Sequence, residues 1–263
     1  MNRVVLKAKD NYKLNLNVYE VDNPKGYVQV VHGMEEHQER YRRLCKFLMS
    51  HGYTVITSNM RGHGKDAPLL GYFSPTNGYE YLVDDQIRIT KYIKKRFKTN
   101  KVIMFAHSMG TIIVRNLLQT ESNNYEKIIF SGPPHPNRAV KFGISLSNFI
   151  SKIKGPKYYS KFVEKLSVGK FNDSVDNPRT KFDWLATNTS YVDGFIKDPY
   201  CGESFKVSAL RDLFVLVKNM TKVKLYKNVN CDLPTNDCLA LVISSSFCNF
   251  CVIRDESIDL SSA

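Results

Sequence analysis

The run Val-Ile-Met-Phe-Ala-His-Ser-Met-Gly-Thr, residues 102–111, passes from an unbroken apolar stretch into a serine flanked by small residues. A short apolar run of this kind reads as a buried strand, and the apolar spacing of residues 110–119 reads as a helix. A strand that turns into a helix at one serine holds that residue in a strained bend, so its hydroxyl stands clear of the sheet. The pattern G-x-S-x-G is met here as Ala106-His107-Ser108-Met109-Gly110, with alanine where a small side chain is needed at the crossing of strand and helix. Ser108 is therefore the candidate nucleophile. Its general base is a separate matter, because no histidine follows His135.

At 263 residues the chain has room for one large core, read here as a single domain with an insertion. With 43% hydrophobic and 24% charged residues it has the composition of a globular protein. The opening segment lacks the apolar centre of a signal peptide and no apolar run reaches the length of a membrane span, so the expected location is the cytoplasm. A net charge of +13 favours anionic partners, and a peripheral contact with an anionic membrane is one of them. The lysines, however, are spread along the chain. Their densest cluster, Lys91–Lys98, closes a helix that opens with Asp84 and Asp85, which is the arrangement the helix dipole favours. No aromatic stacking platform accompanies it, and nucleic acid is not expected as a partner. Six cysteines are present; Cys248 and Cys251 have C-x-x-C spacing but no second pair and apolar neighbours, so all six are read as reduced thiols. No metal and no cofactor is expected.

Strand signals alternate with helical segments, the pattern of an α/β fold with a mostly parallel sheet covered on both faces. Residues 4–8 and 14–21 form an opening antiparallel pair; 26–32, 53–58, 102–106 and 127–131 are further strands; 39–51, 79–97 and 110–119 are helices. The alternation stops at residue 133. Helical spacing in 142–153 and 158–166 describes a cap (lid) insertion over residues 133–204, placed above the serine. Its apolar residues Phe142, Leu146, Phe149, Ile150 and Ile153 either line an acyl pocket or pack the cap onto the body. An amphipathic helix over 205–219 returns to the body, and 239–243 is a further strand. The expected division is core 1–132, cap 133–204, core 205–235 and an atypical tail 236–263.

Five runs in this order resemble the monoacylglycerol lipase and lysophospholipase branch of the α/β-hydrolases, a group also labelled serine aminopeptidase S33. They are His32-Gly33-Met34-Glu35-Glu36-His37, Arg61-Gly62-His63-Gly64, the Ser108 bend, Asp183-Trp184-Leu185, and Asp198-Pro199-Tyr200-Cys201-Gly202. The likeness covers residues 1–235. It implies an α/β-hydrolase fold and cleavage of carboxylic esters carrying one acyl chain, through an acyl-serine intermediate. It also implies an oxyanion hole made by the backbone N–H groups of Met34 and Met109. Gly33 would let the first loop approach the substrate, and Gly110 would keep the helix close to the sheet. His32 and His63 would support their loops, and His107 would be structural. Asn59 stands where the family has an aspartate before Arg-Gly-His-Gly.

The larger departure concerns proton transfer. A serine hydroxyl needs an imidazole to accept its proton and a carboxylate to orient that imidazole. The resemblance places the acid near residues 243–246, where the chain has Ile-Ser-Ser-Ser, and the histidine after the next strand, where it has none. Asp237, Asp255 and Asp259 do not match by context, so the acid and the base both stay unassigned. His135, just past a strand end on the edge that carries Ser108, is a substitute base only if an orienting carboxylate is also at hand. The texture changes after Thr235 as a frameshift would change it, with the last strand and helix missing; the other explanation is a non-catalytic relative that binds acyl lipids. The gene read across codons 230–263 distinguishes the two by the presence or absence of an Asp and a His in another frame. The substrate's acyl length and head group, and the oligomeric state, are not specified by these residues.

Overall fold

The computed structural model describes residues 1–134, 139–168 and 171–230. Six strands, β1 (Asn2–Lys7), β2 (Lys13–Tyr19), β3 (Gly26–Val31), β4 (Tyr53–Ser58), β5 (Val102–His107) and β6 (Tyr125–Ser131), form one sheet in the order β1-β2-β4-β3-β5-β6. The opening hairpin pairs antiparallel with Leu6 opposite Leu14, and β2 lies antiparallel to β4. The remaining pairings, β3 with β4, β3 with β5 and β5 with β6, are parallel. The molecule is thus an α/β protein with a mostly parallel sheet.

Side chains alternate across this sheet and divide the core in two. Val28, Val30, Val55 and Phe105 point to one face, where Cys45 and Leu48 of α1 (Arg42–Ser50) cover them. Val31, Ile56, Met104 and Ala106 point to the other, beneath α2 (Gly78–Phe97), α3 (Met109–Glu121) and α7 (Val207–Met220). Runs such as Gly-Tyr-Val-Gln-Val-Val are apolar on both faces because both faces are covered. Gln29 is the polar exception within that run. Its amide donates to Gln86 Oε1 (3.0 Å) and its oxygen accepts from Thr90 (2.7 Å), so the buried polar group is paired and pins α2 to β3.

Between β6 and α7 the described chain contains α4 (Val140–Lys154), α5 (Lys161–Val168), short turns and α6 (Thr189–Lys197), together with one isolated bridge, Tyr159 to Lys206. Helix α4 departs from the expected burial. Its seam is made of Val140, Gly143 and Ser147, while Phe142, Phe149 and Ile153 are 57%, 63% and 60% exposed. The reason is the closeness of α7: a Cβ at Gly143 would stand 2.6 Å from the Phe214 ring, so small residues occupy the contact. Leu146 and Ile150 are partly buried against the core.

Some boundaries also differ from the expected ones. Residues 38–41 form a tight 3₁₀ turn ahead of α1, because Gln38 N–H is held by Asn59 Oδ1 (2.9 Å). Residues 158–160 are not helical, because the Tyr158 carbonyl accepts the Val207 N–H (2.8 Å) at the start of α7. The expected strand at 239–243 lies outside the described residues.

Candidate active site

Ser108 follows the last residue of β5 and precedes α3, with φ 47° and ψ −117°. That conformation is unfavourable for a residue with a Cβ and is kept by its surroundings. The Ser108 N–H donates to the Ser131 carbonyl of β6 (2.9 Å). Its own carbonyl accepts from the Thr111 N–H (2.9 Å) and hydroxyl (2.7 Å). Ala106 is wholly buried, paired with Val31 on one side and Phe130 on the other. At Gly110 a Cβ would lie 2.5 Å from the Val31 carbonyl oxygen, and no backbone can yield there. Met109 opens α3, so its N–H has no carbonyl one turn earlier to accept it and lies at the positive end of the helix dipole.

The Gly33 loop comes against this bend. A Cβ on Gly33 would be 3.2 Å from Ser108 Cβ and 2.7 Å from Glu36 Oε1. The Gly33 N–H is taken by Glu36 Oε1 (2.6 Å), which also accepts from the Tyr41 hydroxyl (2.7 Å), so the next amide along is that of Met34. Glu35 then adopts φ 59°, and its carbonyl accepts the Gly202 N–H (2.9 Å), fastening the loop to the segment ahead of α7.

The five histidines among the described residues all have partners. His32 Nδ1 meets the Gly33 carbonyl (2.8 Å), and Nε2 accepts the Met60 N–H (2.9 Å), which makes it a neutral brace between two loops. Burial holds its pKa well below the ordinary value. His63 donates from Nδ1 to the Arg61 carbonyl (2.8 Å), and burial lowers it to about 4. His37 Nε2 pairs with Asp198 Oδ2 (2.8 Å), and His51 with the Phe47 carbonyl (2.8 Å). His107 Nδ1 sits 3.2 Å from Ser131 Oγ. Ser108 is the partner of none of them in these contacts. His135 and the tail positions 236–263 lie outside the described residues.

Contacts between distant segments support these loops. Arg61 is wholly buried, bonded to Asp10 (2.6 and 2.7 Å) and Asp85 (2.6 and 3.0 Å) and sandwiched between the rings of Tyr12 and Tyr81. It fixes the Arg-Gly-His-Gly turn. Asn59 keeps an acceptor where a carboxylate was expected, and its side chain packs under Gly64. The Glu203 side chain is 5% exposed and 3.6 Å from His63 Nε2, with neither carboxyl oxygen hydrogen-bonded among the described residues. Burial raises its pKa to about 9, so both members of this contact are uncharged at neutral pH. Burial also lifts Glu35, beside Met34, to about 7. In the other matched runs, Asp183 accepts from Thr180 N–H (2.8 Å) and Oγ1 (2.6 Å), closing the turn that carries Trp184. Asp198 accepts from the Tyr200 N–H (2.9 Å).

Residues 22–228 match the family described as serine aminopeptidase, S33. Human monoglyceride lipase is 24% identical over 188 residues, covering 70% of this chain and 55% of the human protein. A protein of Haemophilus influenzae (strain ATCC 51907 / DSM 11121 / KW20 / Rd) named "Probable lysophospholipase L2" is 24% identical over 104 residues, 40% of this chain and 33% of its own length. The chain thus spans about half, or less, of the curated relatives it matches. Among solved structures, a highly thermostable carboxyl esterase from Bacillus coagulans superposes with a TM-score of 0.80 at 19% identity, covering 87% of this chain and 76% of the esterase. An identity that low speaks for the shared α/β-hydrolase fold alone. With the family match extending over most of its length, the chain belongs to the serine aminopeptidase S33 family of hydrolases.

Proposed function

We propose that this chain is an ester hydrolase of the monoglyceride lipase and lysophospholipase type, built to act on monoacyl esters with Ser108 as nucleophile, and that the 263-residue chain turns over weakly or not at all. The observation that carries the first part is the φ 47° bend of Ser108 at the head of α3, set against the Gly33 loop. Attack of the hydroxyl oxygen on the ester carbonyl would form the acyl-serine bond and release the alcohol. Water would then release the fatty acid. The Met34 and Met109 N–H groups are the donors we assign to the oxyanion. Residues 133–204 act in this reading as the cap over the site, and 205–235 return the chain to the body.

The second part rests on the imidazoles. All five within the described residues are engaged elsewhere, and an unassisted serine is a poor nucleophile. Loss of triad members leaves only oxyanion and binding contributions. Purified chain assayed on a short-chain nitrophenyl ester is expected to show a rate close to that of Ser108→Ala. Turnover at an ordinary enzymatic rate that Ser108→Ala abolishes would overturn the inactivity and keep the nucleophile. The same engagement of the imidazoles favours a second reading, a non-enzymatic carrier of acyl lipid. That reading expects a fluorescent fatty-acyl probe to bind stoichiometrically and stay chemically intact, and an absence of binding removes it.

Contact with an anionic membrane is a further part of the proposal. Phe142, Phe149 and Ile153 form one exposed stripe on α4, Phe162 is exposed on α5, and Lys141, Lys152, Lys154, Lys161 and Lys165 stand around them. Exposed aromatic groups flanked by lysines suit the boundary between acyl chains and anionic head groups.

A further inference from the structure

We infer that His37, Asp198 and Cys201 form a binding site for a thiophilic divalent transition metal, with Zn²⁺ as the best fit. The ligand atoms of these three side chains lie within 4.8 Å of one another, although His37 and Asp198 are 161 positions apart in the sequence. The turn that brings two of them together is built by the backbone. The Cys201 N–H donates to the Asp198 carbonyl (3.1 Å), so the Asp-Pro-Tyr-Cys run presents its first and last side chains on the same side. Asp198 divides its oxygens, one accepting from the Tyr200 N–H (2.9 Å) and the other facing His37 Nε2 (2.8 Å). The His37 and Tyr200 rings meet edge to face with their centres 6.1 Å apart.

In a Cys-His-Asp relay the acid and the sulfur straddle the imidazole, one at each ring nitrogen. Here one imidazole nitrogen, one carboxylate oxygen and the sulfur lie within 4.8 Å of one another, a cluster that side-chain rotation would have to tighten to the roughly 2.0–2.3 Å bonds of tetrahedral ligation. The donor set of one nitrogen, one oxygen and one sulfur suits Zn²⁺ or Co²⁺ and does not suit Mg²⁺ or Ca²⁺, which take oxygen donors. A carboxylate and a thiolate together neutralise the ion's charge, so nearby Arg40 would face a site without net charge. A cavity of about 470 Å³ adjoins His37 and Asp198, lined also by Pro199, Tyr200, Lys65 and Lys197. His37 belongs to the loop that carries Met34, while Asp198 and Cys201 lie between α6 and α7. A bound ion would therefore staple the Gly33 loop to the end of the cap, reinforcing the Gly202 N–H bond to the Glu35 carbonyl. The inference is independent of any chemistry at Ser108.

The test uses the 263-residue chain with Cys231, Cys238, Cys248 and Cys251 replaced by serine, so that tail thiols cannot compete. Titration with Co²⁺ is expected to give one equivalent of binding with a thiolate-to-metal charge-transfer band, displaced by Zn²⁺. Zn²⁺ is expected to raise the Tm, while Mg²⁺ and Ca²⁺ leave it unchanged. Cys201→Ser removes the charge-transfer band, and Cys201→Ser or His37→Gln weakens Zn²⁺ binding about tenfold or more while the metal-free Tm shows whether each variant is folded. Absence of the band at saturating Co²⁺, or an undiminished Zn²⁺ shift in a folded Cys201→Ser or His37→Gln variant, overturns the inference.

Discussion

Ser108 and Glu203 both hold uncomfortable positions, one by backbone conformation and one by burial. The bend at Ser108 was legible because it is local. An apolar strand, a small residue, a serine and Gly110 follow one another, and the glycine is required by a carbonyl 2.5 Å from where its Cβ would be. Glu203 carried no such signal, since nothing in Cys-Gly-Glu-Ser-Phe announces a carboxyl buried against His63. Its effect on stability has a definite sign. A carboxyl with a folded-state pKa of about 9 against an ordinary 4.5 holds its proton longer when folded, so its contribution declines as pH rises through that window. Glu203→Gln removes the decline. The variant's stability relative to the parent is therefore expected to grow between pH 5.5 and pH 8 in urea unfolding, by on the order of 2–3 kcal/mol. An equal difference at the two pH values would mean that Glu203 is already ionised in the folded protein.

At the scale of elements, strands and helices followed from apolar spacing, while the orientation of α4 did not. Phe142, Leu146, Phe149, Ile150 and Ile153 sit at helical intervals, and an apolar face is ordinarily the buried one. The partner helix decides otherwise. The Phe214 ring of α7 leaves no room for a side chain at Gly143, the buried seam falls on Val140, Gly143 and Ser147, and part of the large apolar set faces outward. A stripe of that kind is left for a surface that is not protein core. Sedimentation with vesicles should recover the chain on anionic lipid, less on zwitterionic lipid, and at least about tenfold less after Phe142→Ser and Phe149→Ser together, with unfolding midpoints little changed. Equal sedimentation of the parent and the double variant would exclude α4 as the contact.

Across the whole molecule, the order of motifs along the chain foretold the sheet, the Ser108 bend and the family, because each motif is a short segment with its own turn chemistry. Contacts between distant segments were hidden. His37 meets Asp198, His63 meets Glu203, and Arg61 meets Asp10 and Asp85, none of which any spacing records. In the function we propose, proton transfer at Ser108 depends on a contact of this long-range kind. The structure builds the bend and the loop opposite it, and every imidazole it describes serves a different partner. Labelling with a fluorophosphonate probe reads this directly, since the reagent reacts with a serine only as fast as a base activates it. Labelling of the 263-residue chain is expected to be no faster than that of Ser108→Ala. Rapid labelling that Ser108→Ala eliminates would contradict that expectation.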